Sequence, residues 1–295
     1  MIEIKRVPWH EEVLLRGLRH RLTWWGERAP NPVILLHGWM DSGVTWQFLV
    51  DCLPADWPCV ALDWRGFGAS EWPQEGYWFP DYLADLEALL DRLSPDAPAR
   101  LIAHSMGGNI CTLYGGVQPK RIEWLVNVEG IGLARTLAEK APERYAEWLE
   151  QIRNPPRERR YLSASVLAEF LVARNPRMPY ARAEFLAKAW TKKDPTSDQG
   201  HLIMGFDPRH RNLNPTLYRR DEMEACWRRF EAPMLLVLAE QSAIRTRVGE
   251  DGTEEYFRNF FRNLSVVTLQ DVGHMMHIED PEALARHIVE FVGAR

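Results

Sequence analysis

No stretch of this 295-residue chain approaches the roughly 18 uninterrupted apolar residues that a membrane-spanning helix needs. Cysteine is scarce. Its four positions, Cys52, Cys59, Cys111 and Cys226, form no C-x-x-C pair and none joins a histidine in a zinc-like pattern. A disulfide framework is therefore not expected. Reduced, buried thiols of a cytoplasmic protein are. There is no basic excess. A net charge of −5 argues against nucleic-acid or anionic-membrane partners, which would want the opposite sign. Neither a glycine-rich phosphate loop nor a dinucleotide fingerprint appears, and no cofactor is expected. The N-terminal Met1-Ile2-Glu3-Ile4-Lys5-Arg6 lacks the apolar run of a secretory leader, so none is predicted. Repeats and low-complexity segments are also missing.

What is present is an ordinary globular composition, 46% apolar and 26% charged, which excludes a disordered chain. At this length most of the unfolded surface can be buried without help from a disulfide or a metal. The thirteen tryptophans are first a packing resource and only second an aromatic pocket.

Apolar runs punctuate the chain. Val13–Leu18 and His20–Trp25 read as an antiparallel hairpin around Arg-Gly. Val33–Leu36, Cys59–Leu62, Leu101–Ala103, Trp124–Val128, Met234–Ala239 and Leu264–Leu269 read as strands buried on both faces. Between them, helical stripes fall at Asp81–Leu93, Asn109–Val117 and Pro281–Val292. This alternation predicts an α/β fold with a mostly parallel sheet flanked by helices. After Gly132 it stops. The segment 133–217 holds charged helices, Arg144–Ile152, Val166–Ala173 and Arg182–Trp190, separated by joints at Pro155-Pro156, Pro176 and Pro179. It is expected to be a helical insertion after the sixth strand, dividing a core of 1–132 and 218–295. The basic cluster Arg157–Arg160 reads as a solvated face.

Ala103-His104-Ser105-Met106-Gly107-Gly108 follows a strand and opens a helix. That is the context of a nucleophile elbow, where a serine on a tight turn needs small residues two positions to either side. Gly107 meets this fully, and Ala103 stands where glycine is usual. A serine hydroxyl needs a base. His274, in a loop between the last strand and the last helix, is placed to supply it. His277 is its nearest competitor, and His274 with His277 at i, i+3 signals no third metal ligand, so no metal is expected. Oxyanion donors are expected from the backbone N–H groups of Trp39, after Gly38 turns the chain, and of Met106. His37, Gly38 and His104 are assigned to the substrate wall. Phe170 and Trp190 are further lining candidates.

Four motifs in order resemble the α/β-hydrolase superfamily over nearly the whole chain. They are His37-Gly38-Trp39, Asp63-Trp64-Arg65-Gly66-Phe67-Gly68-Ala69-Ser70, His104-Ser105-Met106-Gly107-Gly108, and Gly273-His274 before Glu279-Asp280-Pro281. His37-Gly38-Trp39-Met40-Asp41-Ser42 and Phe206-Asp207-Pro208-Arg209 particularly resemble its serine hydrolase-like branch. The resemblance implies about eight strands with a helical cap, and makes Asp63 part of a structural turn. It also implies an acid after Leu235–Ala239, but there the chain reads Glu240-Gln241-Ser242, with serine at the expected acid position. Serine cannot hold a histidine tautomer as a carboxylate does. Glu129, at the end of the strand Trp124–Val128, is the preferred substitute, as in relatives that carry their acid on this strand. Glu240 is the other candidate.

A serine at 105 excludes the aspartate-nucleophile chemistry of dehalogenases and epoxide hydrolases. Hydrolysis of a carboxylic ester of a small to medium apolar substrate is expected, through an acyl-enzyme on Ser105. Thioester, lactone, amide or carbon–carbon bond cleavage, or an inactive binding module of the same fold, are the alternatives. The partner expected is a small ester-like molecule, with the chain itself a monomer or a homodimer.

Overall fold

A computed structural model describes residues 3–155 and 158–295. Pro156 and Arg157, parts of the expected proline joint and basic cluster, lie outside the described residues.

The chain opens with an antiparallel hairpin, β1 (Pro8–Leu15) and β2 (Leu18–Trp25). Its two-residue turn, Arg16-Gly17, has both φ angles positive, at 48° and 81°. Such a turn matches the twist of the flanking strands. Strand β1 begins at Pro8, five residues before its expected start. Its early residues are largely exposed, so no apolar alternation marks them. Then follow β3 (Val33–Leu36), β4 (Cys59–Leu62), β5 (Ala99–His104) and β6 (Ile122–Val128). Every residue of β3 and β4 is buried, which is why each reads as an unbroken apolar run.

Beyond β6 come the helices Ala141–Arg153, Ala164–Arg174 and Tyr180–Trp190. Two three-residue strands, β7 (Thr191–Lys193) and β8 (Leu202–Met204), form a small antiparallel pair that the sequence did not announce. Three residues are too few to show a period. The helix Arg220–Trp227 leads back to β9 (Met234–Ala239), β10 (Leu264–Leu269) and the closing helix Pro281–Gly293.

The eight core strands lie in the order β1-β2-β4-β3-β5-β6-β9-β10. From β4 to β10 every neighbouring pair is parallel. Apolar side chains pack on both faces. Leu36, Leu101 and Leu236 belong to one core and Leu35, Ile102 and Val237 to the other, as alternation along buried strands requires. The chain runs from β3 to β4 on one side, then crosses to β5 on the other. The carboxyl ends of β3 and β5 therefore mark the switch point of the sheet, the place where open α/β sheets bind their ligands. Among the described residues no helix is long and apolar enough to cross a membrane.

Candidate active site

Ser105 follows β5 directly and opens the helix Met106–Val117. Its backbone takes φ 50° and ψ −113°, a conformation that costs a non-glycine residue on the order of 1–3 kcal/mol. Close packing holds it there. The Ser105 N–H donates to Val128 O of the adjoining strand at 2.8 Å, and Asn109 N donates to Ser105 O at 3.0 Å. A Cβ on Gly107 would strike the backbone oxygen of Leu36, and one on Gly108 would strike the Asn127 side chain. Only glycine lets the helix approach the strand ends this closely.

Gly38 faces Ser105 from the loop after β3. A Cβ there would lie 3.1 Å from Ser105 Cβ and 2.8 Å from His104 Nδ1. This loop is anchored from behind. His37 is fully buried, accepts from Trp64 N at 3.0 Å through Nε2, and donates through Nδ1 to Gly38 O at 2.7 Å. Burial lowers its pKa and keeps the ring neutral. Asp63 accepts from Gly43 N at 2.6 Å and Ala69 N at 2.8 Å, so both carboxylate oxygens serve the turn, in keeping with its structural assignment. His104 is buried as well and donates through Nε2 to His274 O at 2.9 Å. Both histidine rings assigned to the substrate wall thus lie behind it, bracing the loops that form it.

His274 sits after β10. Its Nδ1 lies 2.7 Å from Oε2 of Glu129, a residue only 1% exposed. Glu129 occupies a left-handed position, φ 52°, in a turn closed by Asn127, whose side chain accepts from Gly130 N at 2.7 Å and donates to Gly130 O at 3.0 Å. A buried carboxylate must collect donors. Glu129 takes three: His274 Nδ1, the backbone N–H of Ala239 at 2.8 Å, and the hydroxyl of Ser242 at 2.7 Å. Ser242, which occupies the position expected of an acid, is a donor to Glu129 instead. Glu240 is turned away, exposed, and accepts from Asp271 N at 3.1 Å. With Nδ1–H directed at Glu129, a lone pair on His274 Nε2 would be the side of the ring left to take a proton. No hydrogen bond joins the Ser105 hydroxyl to His274 among the described residues, a looser spacing common before substrate binds.

Glu279 fixes the histidine loop. It accepts from Gly273 N at 2.6 Å, Asn175 Nδ2 at 2.8 Å and Arg177 Nε at 3.0 Å. Arg182 donates to Ile278 O at 2.7 Å. The inserted helices are thereby tied to the loop that carries His274. Of the other lining candidates, Trp39 is 52% exposed, and Met106 is half-buried. Trp190 donates to Asp41 Oδ1 at 3.1 Å, while Phe170 packs under the guanidinium groups of Arg159 and Arg174.

A family model described as alpha/beta hydrolase fold matches residues 31–281. The chain belongs to the α/β-hydrolase family. A serine hydrolase-like protein of Danio rerio is 27% identical, over 97% of this chain and 86% of that protein. A 3-hydroxybutyrate-oligomer hydrolase of Cupriavidus necator is 28% identical, over 93% of this chain and 94% of that protein. The thioesterase domain from the curacin biosynthetic pathway superposes with a TM-score of 0.82 at 23% identity, covering 96% of this chain and 99% of that one, a likeness of fold.

Three contributors to this hydrolase site escaped the sequence reading. Asn127 left a faint signal in the Asn-Val-Glu-Gly turn that it closes. Ser242 was noticed only as a missing acid. Glu279 belongs to a recognised motif, but its partners come from the insertion, more than 100 residues earlier in the chain.

Proposed function

We propose that this α/β-hydrolase cleaves a carboxylic ester of a small to medium apolar substrate through an acyl-enzyme on Ser105. The observation that carries the reading is the 2.7 Å bond from His274 Nδ1 to buried Glu129, beside a serine held in a strained elbow. The acid is then Glu129, and the order along the chain is Ser…Glu…His.

Ser105 Oγ attacks the ester carbonyl carbon while His274 Nε2 takes its proton. Glu129 orients the ring and stabilises the imidazolium that forms. The carbonyl oxygen becomes an oxyanion, held by the N–H groups of Trp39 and Met106. The latter lies in the first turn of Met106–Val117, where the helix dipole favours negative charge. Collapse expels the alcohol, which takes the proton from His274 and leaves the acyl group on Ser105. Water, deprotonated by the same histidine, releases the acid and restores the serine. The insertion, 133–217, serves as a cap over the site.

The printed names of the relatives, a serine hydrolase-like protein and a hydrolase of 3-hydroxybutyrate oligomers, agree with this chemistry. A panel of p-nitrophenyl esters of graded acyl length, with a thioester and a lactone beside it, tests the reading. Turnover should favour an ester and vanish in Ser105→Ala. Absence of turnover on every substrate would contradict it, and preference for the thioester or lactone would move the assignment to that bond.

A further inference from the structure

Behind Ser105 lies a second polar cluster. Asp41 comes from the loop after β3, His104 from the last residue of β5, and His277 from the short helix Met276–Glu279. They are 4%, 2% and 0% exposed. One ligand-capable atom of each falls within 4.8 Å of the others. Among the described residues, Asp41 Oδ2, His104 Nδ1 and both ring nitrogens of His277 have no hydrogen-bond partner. Each such orphan costs on the order of 1–3 kcal/mol if left unmet.

The proton inventory makes the cluster more specific. His104 donates through Nε2 to the carbonyl of His274, so its neutral ring keeps a bare lone pair on Nδ1. Asp41 Oδ1 is occupied by Ser42 N at 2.7 Å and Trp190 Nε1 at 3.1 Å, while Oδ2 remains open. Two acceptors thus converge with no donor bonded to either. His277 Nε2 lies 3.6 Å from Asp41 Oδ2, beyond hydrogen-bond length. Its ring stands 4.4 Å from that of His104 and 4.8 Å from that of Trp46. A cation at the centre would satisfy both acceptors and the third nitrogen together.

We propose that Asp41 Oδ2, His104 Nδ1 and His277 Nε2 form a site for a divalent transition-metal ion of the Zn²⁺ class. Two imidazoles and one carboxylate suit zinc, cobalt, nickel or copper, whereas calcium and magnesium want mostly oxygen. Bonds of about 2.0–2.1 Å in a tetrahedron place ligand atoms roughly 3.4 Å apart, close to the 3.6 Å between His277 and Asp41. The bond from His104 to the His274 carbonyl is the outer contact that orients a metal-bound histidine. An ion there would clamp together the loop of Trp39, the Ser105 elbow and the His274 loop. The three residues come from segments so distant along the chain that spacing carries no metal signature.

Chelator-stripped whole protein should be titrated with Zn²⁺ against a chromophoric chelator, and with Co²⁺ by visible spectroscopy. One ion per chain is expected, with the intense visible bands of tetrahedral cobalt and a rise in melting temperature with Zn²⁺ concentration. His277→Gln and Asp41→Asn should each weaken binding at least about tenfold. His274→Gln should keep it, as should His287→Gln, which alters a half-exposed histidine elsewhere. Absence of stoichiometric binding by the unmutated protein would overturn the proposal, whatever the variants do. So would binding that is lost in His274→Gln but kept in Asp41→Asn, which would place the ion on the His274–Glu129 pair. Neither result depends on ester turnover.

Discussion

At the scale of single residues, the proposed acid is the point of departure. Glu129 is buried, and each of its carboxylate oxygens accepts a hydrogen bond from β9 or the residues just after it, so its place is fixed before substrate arrives. Replacing it with Gln keeps the shape but removes the charge that selects the histidine tautomer. Glu129→Gln is expected to lower kcat by about 10³–10⁴-fold, the scale known for triad acids. Glu240→Gln should stay within about twofold, since that side chain is exposed and touches the backbone of Asp271. Steady-state ester kinetics on the two variants check this, and the opposite ranking would exchange the acids. Ser105 and His274 could be singled out as candidates because steric and chemical demands leave a local signature: small neighbours around a serine, and a histidine between a strand and a helix. Ser242 could not, because its partner lies 113 residues away and only folding brings the two together.

At the scale of elements, the elbow depends on how closely Met106–Val117 meets the ends of β3 and β6. The Cβ of Gly107→Ala would meet main chain, which cannot swing aside as a side chain can. The variant is expected to lose on the order of 1–3 kcal/mol of stability and most of its activity, measured by urea unfolding and ester turnover. A variant as stable and active as its parent would mean that the elbow has slack. Strand limits were read closely where strands are buried on both faces, as β3, β4 and β9 begin and end where their apolar runs do; β10 also matches its run, although it is the sheet's edge strand and mostly half-buried or exposed rather than buried on both faces as expected. Limits were misread at β1, whose outer half is exposed, and missed at β7 and β8, which are only three residues long. The inserted helices were found from their charge and proline joints. Their anchoring through Glu279 was not, since ion pairs between distant segments leave no period.

At the scale of the whole molecule, the sheet collects every candidate group along one edge, at the carboxyl ends of β3, β5, β6, β9 and β10. The fold also buries neutral histidines. His210 stacks 3.8 Å from Phe67 and 3.6 Å from Tyr77, and burial pulls its pKa down from 6.5 to about 3. The folded chain therefore refuses a proton that the unfolded chain accepts. This contribution to stability is full above the unfolded value and is lost as pH falls from about 6.5 toward about 3. His210 alone should cost about 2 kcal/mol between pH 7 and pH 5. Burial of His37 and His104 acts with the same sign. In urea unfolding at the two pH values, His210→Phe should flatten the loss by about that amount, and an unchanged slope would contradict the assignment.

All of this turns on whether Ser105 is an activated nucleophile. The direct measurement is reaction of the folded protein with a fluorophosphonate, followed by mass spectrometry of the peptide that contains Ala103-His104-Ser105. The account predicts one adduct per chain, on Ser105, strongly slowed in His274→Ala and Glu129→Gln and absent in Ser105→Ala. Folded protein that remains unlabelled at Ser105, or that carries its adduct on another residue, would contradict it.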